Sequence, residues 1–184
     1  MALTYTPAAT LGSKAPDFSL LDVAGKGVSL SDYSKSPVLV LMFICNHCPY
    51  VKAIEDRLIQ LGREYHTKDA ALVAICSNDP TDYPEDKPEA LLARSKEKAY
   101  PFPYLVDDEQ VVAKAYGAVC TPDFFVYDQD RRLQYRGRLD DSWKNPALVK
   151  RRELKEAIES VLKKQRPSDP QVPSMGCSIK WLNA

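Results

Sequence analysis

The chain has no excess of either charge: its 184 residues include 25 Lys and Arg against 25 Asp and Glu. A balanced surface gives nucleic acid or an anionic membrane no electrostatic footing, so neither is an expected partner. No apolar run approaches the length of a membrane span. The opening stretch, Met1 to Asp17, lacks a basic segment followed by an apolar one, so no secretory signal is expected. Histidine is scarce, with two residues. There is no His-x-x-x-His and no second Cys-x-x-Cys, the usual complements of a structural zinc site. Internal repeats, low-complexity stretches and domain boundaries are also missing. The length then fits one domain spanning 1–184, with a core from about 14 to 165 and a tail, 166–184, packing on the body.

What the chain does have is five cysteines: Cys45, Cys48, Cys76, Cys120 and Cys177. An odd count in a chain of this size does not suit an extracellular disulfide framework, so reduced thiols and a cytoplasmic location are expected. Two of them stand at the most organised point in the sequence. Val38-Leu39-Val40-Leu41-Met42-Phe43-Ile44 is too short for a helix core and reads as a strand buried on both faces. It runs into Cys45-Asn46-His47-Cys48. Pro49 follows at a position suited to the first residue of a helix, and Val51, Ile54, Leu58 and Leu61 recur at the spacing of one helical face.

The remaining elements follow in order. Asp17–Leu20 and Gly27–Leu30 form a hairpin, and the helix from Pro49 ends near His66. Ala71–Cys76 is a second buried strand, and the acidic segment Thr81–Lys87 an exposed loop. Pro88 opens a helix through Ala99, and Tyr104–Val106 is a short strand. Asp107 or Asp108 caps a helix from Glu109 to Tyr116 that Gly117 stops. Phe124–Tyr127 and Leu133–Arg138 pair as a second hairpin. Asn145 caps and Pro146 opens the last helix, with Leu154, Ile158, Val161 and Leu162 on its core face. Residues 1–15 have no period and read as irregular. Helical crossovers make the first strands parallel and the late hairpin adds antiparallel ones, giving an α/β three-layer sandwich around a mixed sheet.

A thiol attacks only as thiolate, and a free Cys with a pKa of about 8.5 is mostly protonated at neutral pH. The amides and dipole at a helix N-terminus favour the anion. Either Cys45 attacks and Cys48 resolves, or the reverse; Pro49 makes Cys48 the cap residue and the more activated of the two. His47 between them either assists a thiolate as a cation or faces solvent with modest effect. Cys76 reads as a small core hydrophobe. Cys120 and Cys177 are further candidates for resolving thiols, with packing as the rival role. Ile179 and Trp181 can dock the tail that carries Cys177. Cys120-Thr121-Pro122-Asp123 is a loop whose X-Pro bond is of the kind that can be cis.

A buried strand ending in Cys-x-x-Cys at a helix start, with Thr-Pro ahead of an antiparallel hairpin, resembles the thioredoxin fold over roughly residues 14–165. The resemblance implies a cis Pro122 facing the thiols and a backbone contact to substrate at Thr121. Ala15-Pro16-Asp17-Phe18 and its hairpin resemble the alkyl hydroperoxide reductase/thiol-specific antioxidant branch. Phe43–Val51, Cys120–Phe125 and Pro173–Trp181 resemble an uncharacterised bacterial group of peroxiredoxin-like proteins. In peroxiredoxins a Thr-x-x-Cys and a distant Arg position the peroxide. Here Cys45 stands at the Thr position, and Arg136 and Arg138 are the candidates for the Arg. The buried acid of thioredoxin has no counterpart in the strand before the thiols.

The expected function is thiol–disulfide exchange through Cys45 and Cys48, modulated by His47, Thr121 and Pro122. The expected partners are a protein or small-molecule disulfide and a dithiol electron donor, with no cofactor and no metal. A thiol peroxidase with Cys48 peroxidatic is the alternative. A redox-inert or metal-binding interaction module is a third.

Overall fold

The computed structural model describes residues 3–66 and 69–182. Its strands are β1 (Leu3–Tyr5), β2 (Ser19–Asp22), β3 (Gly27–Ser29), β4 (Val38–Phe43), β5 (Ala70–Cys76), β6 (Tyr104–Val106), β7 (Cys120–Thr121), β8 (Asp123–Tyr127), β9 (Leu133–Gly137) and β10 (Met175–Ser178). The helices are α1 (Pro49–Tyr65), α2 (Pro88–Glu97), α3 (Val111–Tyr116) and α4 (Glu153–Leu162). Seven strands form one sheet in the order β3-β2-β6-β5-β4-β8-β9, with β4, β5 and β6 parallel and the other pairs antiparallel.

β4 lies inside this sheet and is buried along its whole length. Both of its faces are covered, which explains a strand that carries no polar residue. Val38, Val40 and Met42 pack with Val51, Ile54 and Leu58 of α1 and with Leu154 and Ile158 of α4. Leu39, Leu41 and Phe43 face the other way, onto Phe18 and onto Val112, Ala113 and Tyr116 of α3. The result is a three-layer α/β sandwich with a mixed central sheet and an N-terminal hairpin, β2–β3. The consequence for function is directional: β4 points the Cys45–Cys48 turn at one end of the sheet, where α1 begins.

Several local expectations are corrected. Leu3–Tyr5, expected to be irregular, pairs antiparallel with β10, which pairs in turn with β7 to make a separate three-stranded sheet. Asn145 does cap a turn, since its side chain accepts from Ala147 N. That turn is a three-residue 3-10 helix, Pro146–Leu148, and α4 starts only at Glu153. There the Glu153 carboxylate is buried against Arg138 (2.6 Å) and Leu154 N donates to Leu139 O (3.2 Å), which ties the helix start to the end of the hairpin. α3 begins at Val111 rather than Glu109. Asp107 acts on it from farther back, accepting from the amides of Val112 (3.2 Å) and Ala113 (2.8 Å). The segment Thr81–Lys87 is no simple exposed loop: Pro84–Asp86 is a 3-10 turn and Asp86 is buried.

Candidate active site at the start of α1

Beyond the end of β4, Ile44 N still donates to Ile75 O, so pairing with β5 holds until the chain turns. Cys48 is the N-cap of α1 and Pro49 its first residue. Proline suits that position because the amide it lacks has no helical partner there. Opposite the turn lies β7 and its loop, with a cis bond between Thr121 and Pro122. Cys45 Sγ is 3.1 Å from Thr121 Oγ1, and Cys48 Sγ lies 3.2 Å from Thr121 O. A third sulfur closes the group: Cys177 Sγ on β10 is 3.0 Å from Cys48 Sγ. None of the three cysteines is more than 1% exposed.

The three sulfurs are electrically unlike. Cys48 is pulled down to about 5, chiefly by the hydrogen bond from the Cys45 side chain. Burial opposes that pull, and Cys177 together with the Val51 amide adds to it. Val51 is the third residue of the helix, so its amide is one of those left unpaired at an N-terminus. It lowers the Cys48 pKa without completing a cap hydrogen bond in the structure. Cys45 goes the other way: burial, and its donation to Cys48, push it well above the usual thiol value. Burial and the Cys48 contact raise Cys177 to about 12. One anion shared among three sulfurs settles on the residue that receives hydrogen bonds.

Sequence reasoning missed the group that holds this turn in shape. Asp86 Oδ1 accepts from the amides of Asn46 (2.7 Å) and His47 (3.1 Å), and Oδ2 from His47 Nδ1 (2.5 Å) and Asn78 Nδ2 (2.9 Å). Burial works against its ionisation, but the His47 and Asn78 hydrogen bonds win and its pKa is lowered. His47 is therefore not a solvent-facing imidazole. It is buried, stacked on Tyr83 at 4.1 Å between ring centroids, and its Nε2 has no hydrogen-bond partner among the described residues. The one signal in the sequence was an acid inside a proline-flanked segment.

Cys45, His47 and Asp86 bring ligand atoms within 4.8 Å of one another, so the metal alternative has a concrete location. The donor set fits it poorly. A carboxylate has about four lone-pair directions, and Asp86 spends all four on hydrogen bonds. It orients the turn rather than offering a ligand.

The other candidates lie apart from this centre. Cys120 Sγ faces the Pro122 carbonyl at 3.9 Å, and burial raises its thiol. Cys76 is fully enclosed, and burial raises it as well. Arg136 and Arg138 are both engaged, Arg136 with Asp123 (2.8 Å) and Phe125 (4.6 Å to the ring), Arg138 with Glu153. Asp123 is buried directly after Pro122, and burial pushes its carboxyl to about 7 despite the arginine. Beside Pro122 a hollow of about 150 Å³ opens between Tyr5, Tyr50, Trp143 and Met175.

The AhpC/TSA family model matches residues 11–136. Thiol-disulfide oxidoreductase ResA of Bacillus thuringiensis is 26% identical over 157 residues, which are 85% of this chain and 79% of that protein. An uncharacterized conserved protein from Geobacillus kaustophilus is 43% identical, with a TM-score of 0.95 over 100% of this chain and 98% of the other. The thioredoxin domain of a thiol-disulfide oxidoreductase from Bacteroides vulgatus, 18% identical, superposes at a TM-score of 0.58 over 70% of this chain and 89% of its own, and shares the fold alone. The fold is thus thioredoxin-like, and no helix among the described residues is long and apolar enough to cross a membrane. The chain belongs to the AhpC/TSA family.

Proposed function

We propose that this protein is a thiol–disulfide oxidoreductase whose nucleophile is Cys48. One observation carries the reading: at the N-cap of α1 a thiol is drawn down to about 5, while burial raises the other four. At neutral pH Cys48 is a thiolate and its neighbours are thiols. The Cys48 anion attacks one sulfur of an acceptor disulfide, and the other sulfur leaves with the bonding pair and takes a proton. A second cysteine then attacks Cys48, closes a disulfide within the protein and expels the remaining acceptor sulfur. A dithiol donor returns both cysteines to thiols, and the cytoplasm, where such donors abound, is the proposed setting.

Cys45 steadies the anion as a hydrogen-bond donor. His47 and Asp86 hold the turn, and Thr121 with Pro122 forms the wall opposite the sulfurs. Cys120 and Cys177 remain the further thiols of the region.

A second reading is favoured by the depth of the site. With Cys48 fully enclosed, a small acceptor reaches it more readily than a protein disulfide. A hydroperoxide is such an acceptor: its O–O bond breaks on attack, the alcohol leaves, and Cys48 becomes a sulfenic acid that a second thiol condenses to a disulfide and water.

The trial is turnover with dithiothreitol as donor and, in parallel, insulin or cumene hydroperoxide as acceptor. Turnover of at least one acceptor is expected, falling to the uncatalysed background in Cys48→Ser. The acceptor consumed separates the two readings. Turnover that survives in Cys48→Ser ends both.

A further inference from the structure

We propose that the disulfide formed on oxidation joins Cys48 to Cys177, on the C-terminal strand β10, and that Cys45 remains a thiol throughout. The inference rests on Cys48 as nucleophile and names its resolving partner.

The first support is distance. The two sulfurs stand 3.0 Å apart. A disulfide requires about 2.05 Å, so closure asks for roughly 1 Å of side-chain movement. The second is register. Cys177 is the pairing partner of Thr121, and the Thr121 carbonyl lies 3.2 Å from Cys48 Sγ. Strand pairing therefore aims Cys177 at Cys48. The third is the residue beside it. A Cβ on Gly176 would lie 1.9 Å from Thr121 O and 3.1 Å from Pro122 Cδ. Glycine at 176 lets β10 press against the Thr121–Pro122 backbone more closely than any side chain permits.

The strand is also held at both ends. Ser174 Oγ donates to Gly137 O (2.5 Å) and Ser174 N to Thr6 Oγ1 (3.1 Å). Ile179 N donates to Val119 O (3.0 Å) and Lys180 N to Asn78 Oδ1 (2.9 Å). A resolving thiol fixed in this way is presented to the nucleophile without a prior search of conformations.

Cys45 is worse placed for the same task. Its proton is what stabilises the Cys48 anion, and its sulfur contacts Thr121 Oγ1. To attack it would have to ionise fully buried beside the Asp86 charge. Cys177 has the opposite neighbour, Lys180, whose charge draws its pKa down.

Cys48 thiolate displaces RS⁻ from an acceptor disulfide, or RO⁻ from a hydroperoxide, and the leaving group takes a proton. Cys177 then loses its proton and attacks Cys48 Sγ, releasing the second thiol, or water from the sulfenic acid. Two thiols lose two electrons and the acceptor gains them.

The test is disulfide mapping in the wild-type protein. The reduced protein is treated at pH 7 with one equivalent of hydrogen peroxide or, separately, with oxidised glutathione. Remaining thiols are then blocked with N-ethylmaleimide in denaturant before tryptic digestion and mass spectrometry. Cys45 and Cys48 share the tryptic peptide Ser36–Lys52, and Cys177 lies in Gln165–Lys180, so the outcomes differ in kind. A cross-link between those peptides, with Cys45 alkylated, is expected. In Cys177→Ser the cross-link is lost, and Cys48 accumulates as a sulfenic acid trapped by dimedone or as a glutathione adduct. An internal bond within Ser36–Lys52, with Cys177 alkylated, overturns the pairing but leaves Cys48 as nucleophile. Cys48 recovered unoxidised with both oxidants overturns the pairing and the underlying function together.

Discussion

Asp86 is the residue on which the shape of the thiol turn most depends, although it is no thiol and lies outside the Cys-x-x-Cys motif. Replacing it with Asn keeps one oxygen for the two amides but turns an NH₂ toward His47 Nδ1 and Asn78 Nδ2, donor against donor. Hydrogen bonds to a buried charge contribute about 1.5–3 kcal/mol each, so Asp86→Asn is expected to cost about 3 kcal/mol. The sign with pH follows from the lowered pKa. The stability Asp86 contributes is complete above the unfolded value near 3.8 and is lost as pH falls through the folded one. Denaturant titration at pH 7 and at pH 3 checks this: the gap between wild type and variant is wide at pH 7 and narrows at pH 3. An equal gap at both would remove Asp86 from this role. The contrast with Cys48 explains what a sequence reveals at this scale. Cys48 and Pro49 are adjacent, so their relation to a helix start was legible. Asp86 meets His47 across 39 positions, and no local pattern announces such a contact.

Among the elements, α1 and β10 make the site together, and they differed greatly in legibility. Helix α1 offers a repeating apolar face, a proline start and a 17-residue length. Strands β1 and β10 have three and four residues, with partners as distant as Leu3 and Cys177. Strands that short carry no alternation to read, so the tail appeared in the sequence as a proline-broken end carrying one candidate thiol, Cys177, and two residues able to dock. The Asn145-Pro146 signal was real but local, since it starts a turn, and the chain reaches helix again where Glu153 can meet Arg138. Gly176 tests what β10 does. Gly176→Ala must move Thr121 or the strand, and a misplacement near 1 Å costs a reaction about a hundredfold. Stopped-flow measurement of intramolecular disulfide formation is expected to slow by about that factor. The far-ultraviolet circular dichroism is expected to stay unchanged, because β10 lies outside the seven-stranded sheet. An unchanged rate would mean that the close approach at Gly176 has no bearing on the site.

At the scale of the whole molecule, burial decides the chemistry. A net charge of zero leaves no long-range field to steer a charged acceptor, and the sulfurs lie beneath the surface. Reactivity must therefore come from local stabilisation of one anion inside a site where burial raises every other thiol. The layered α/β plan was readable from the alternation of buried strands and amphipathic helices, and so was the direction in which β4 delivers its cysteines. The resemblance already turned Thr121 and Pro122 toward the thiols, but the contact of Cys177 with Cys48 was not legible, because β10 meets that turn only after folding.

All five cysteines of the folded protein can be followed in one experiment, by quenched iodoacetamide alkylation between pH 4 and 9 with each site counted by mass spectrometry. Cys48 is expected to be alkylated with a midpoint near pH 5, while Cys45, Cys76, Cys120 and Cys177 stay unmodified through pH 8. A Cys48 midpoint near the 8.5 of an ordinary thiol, or a different cysteine titrating first, would contradict that expectation.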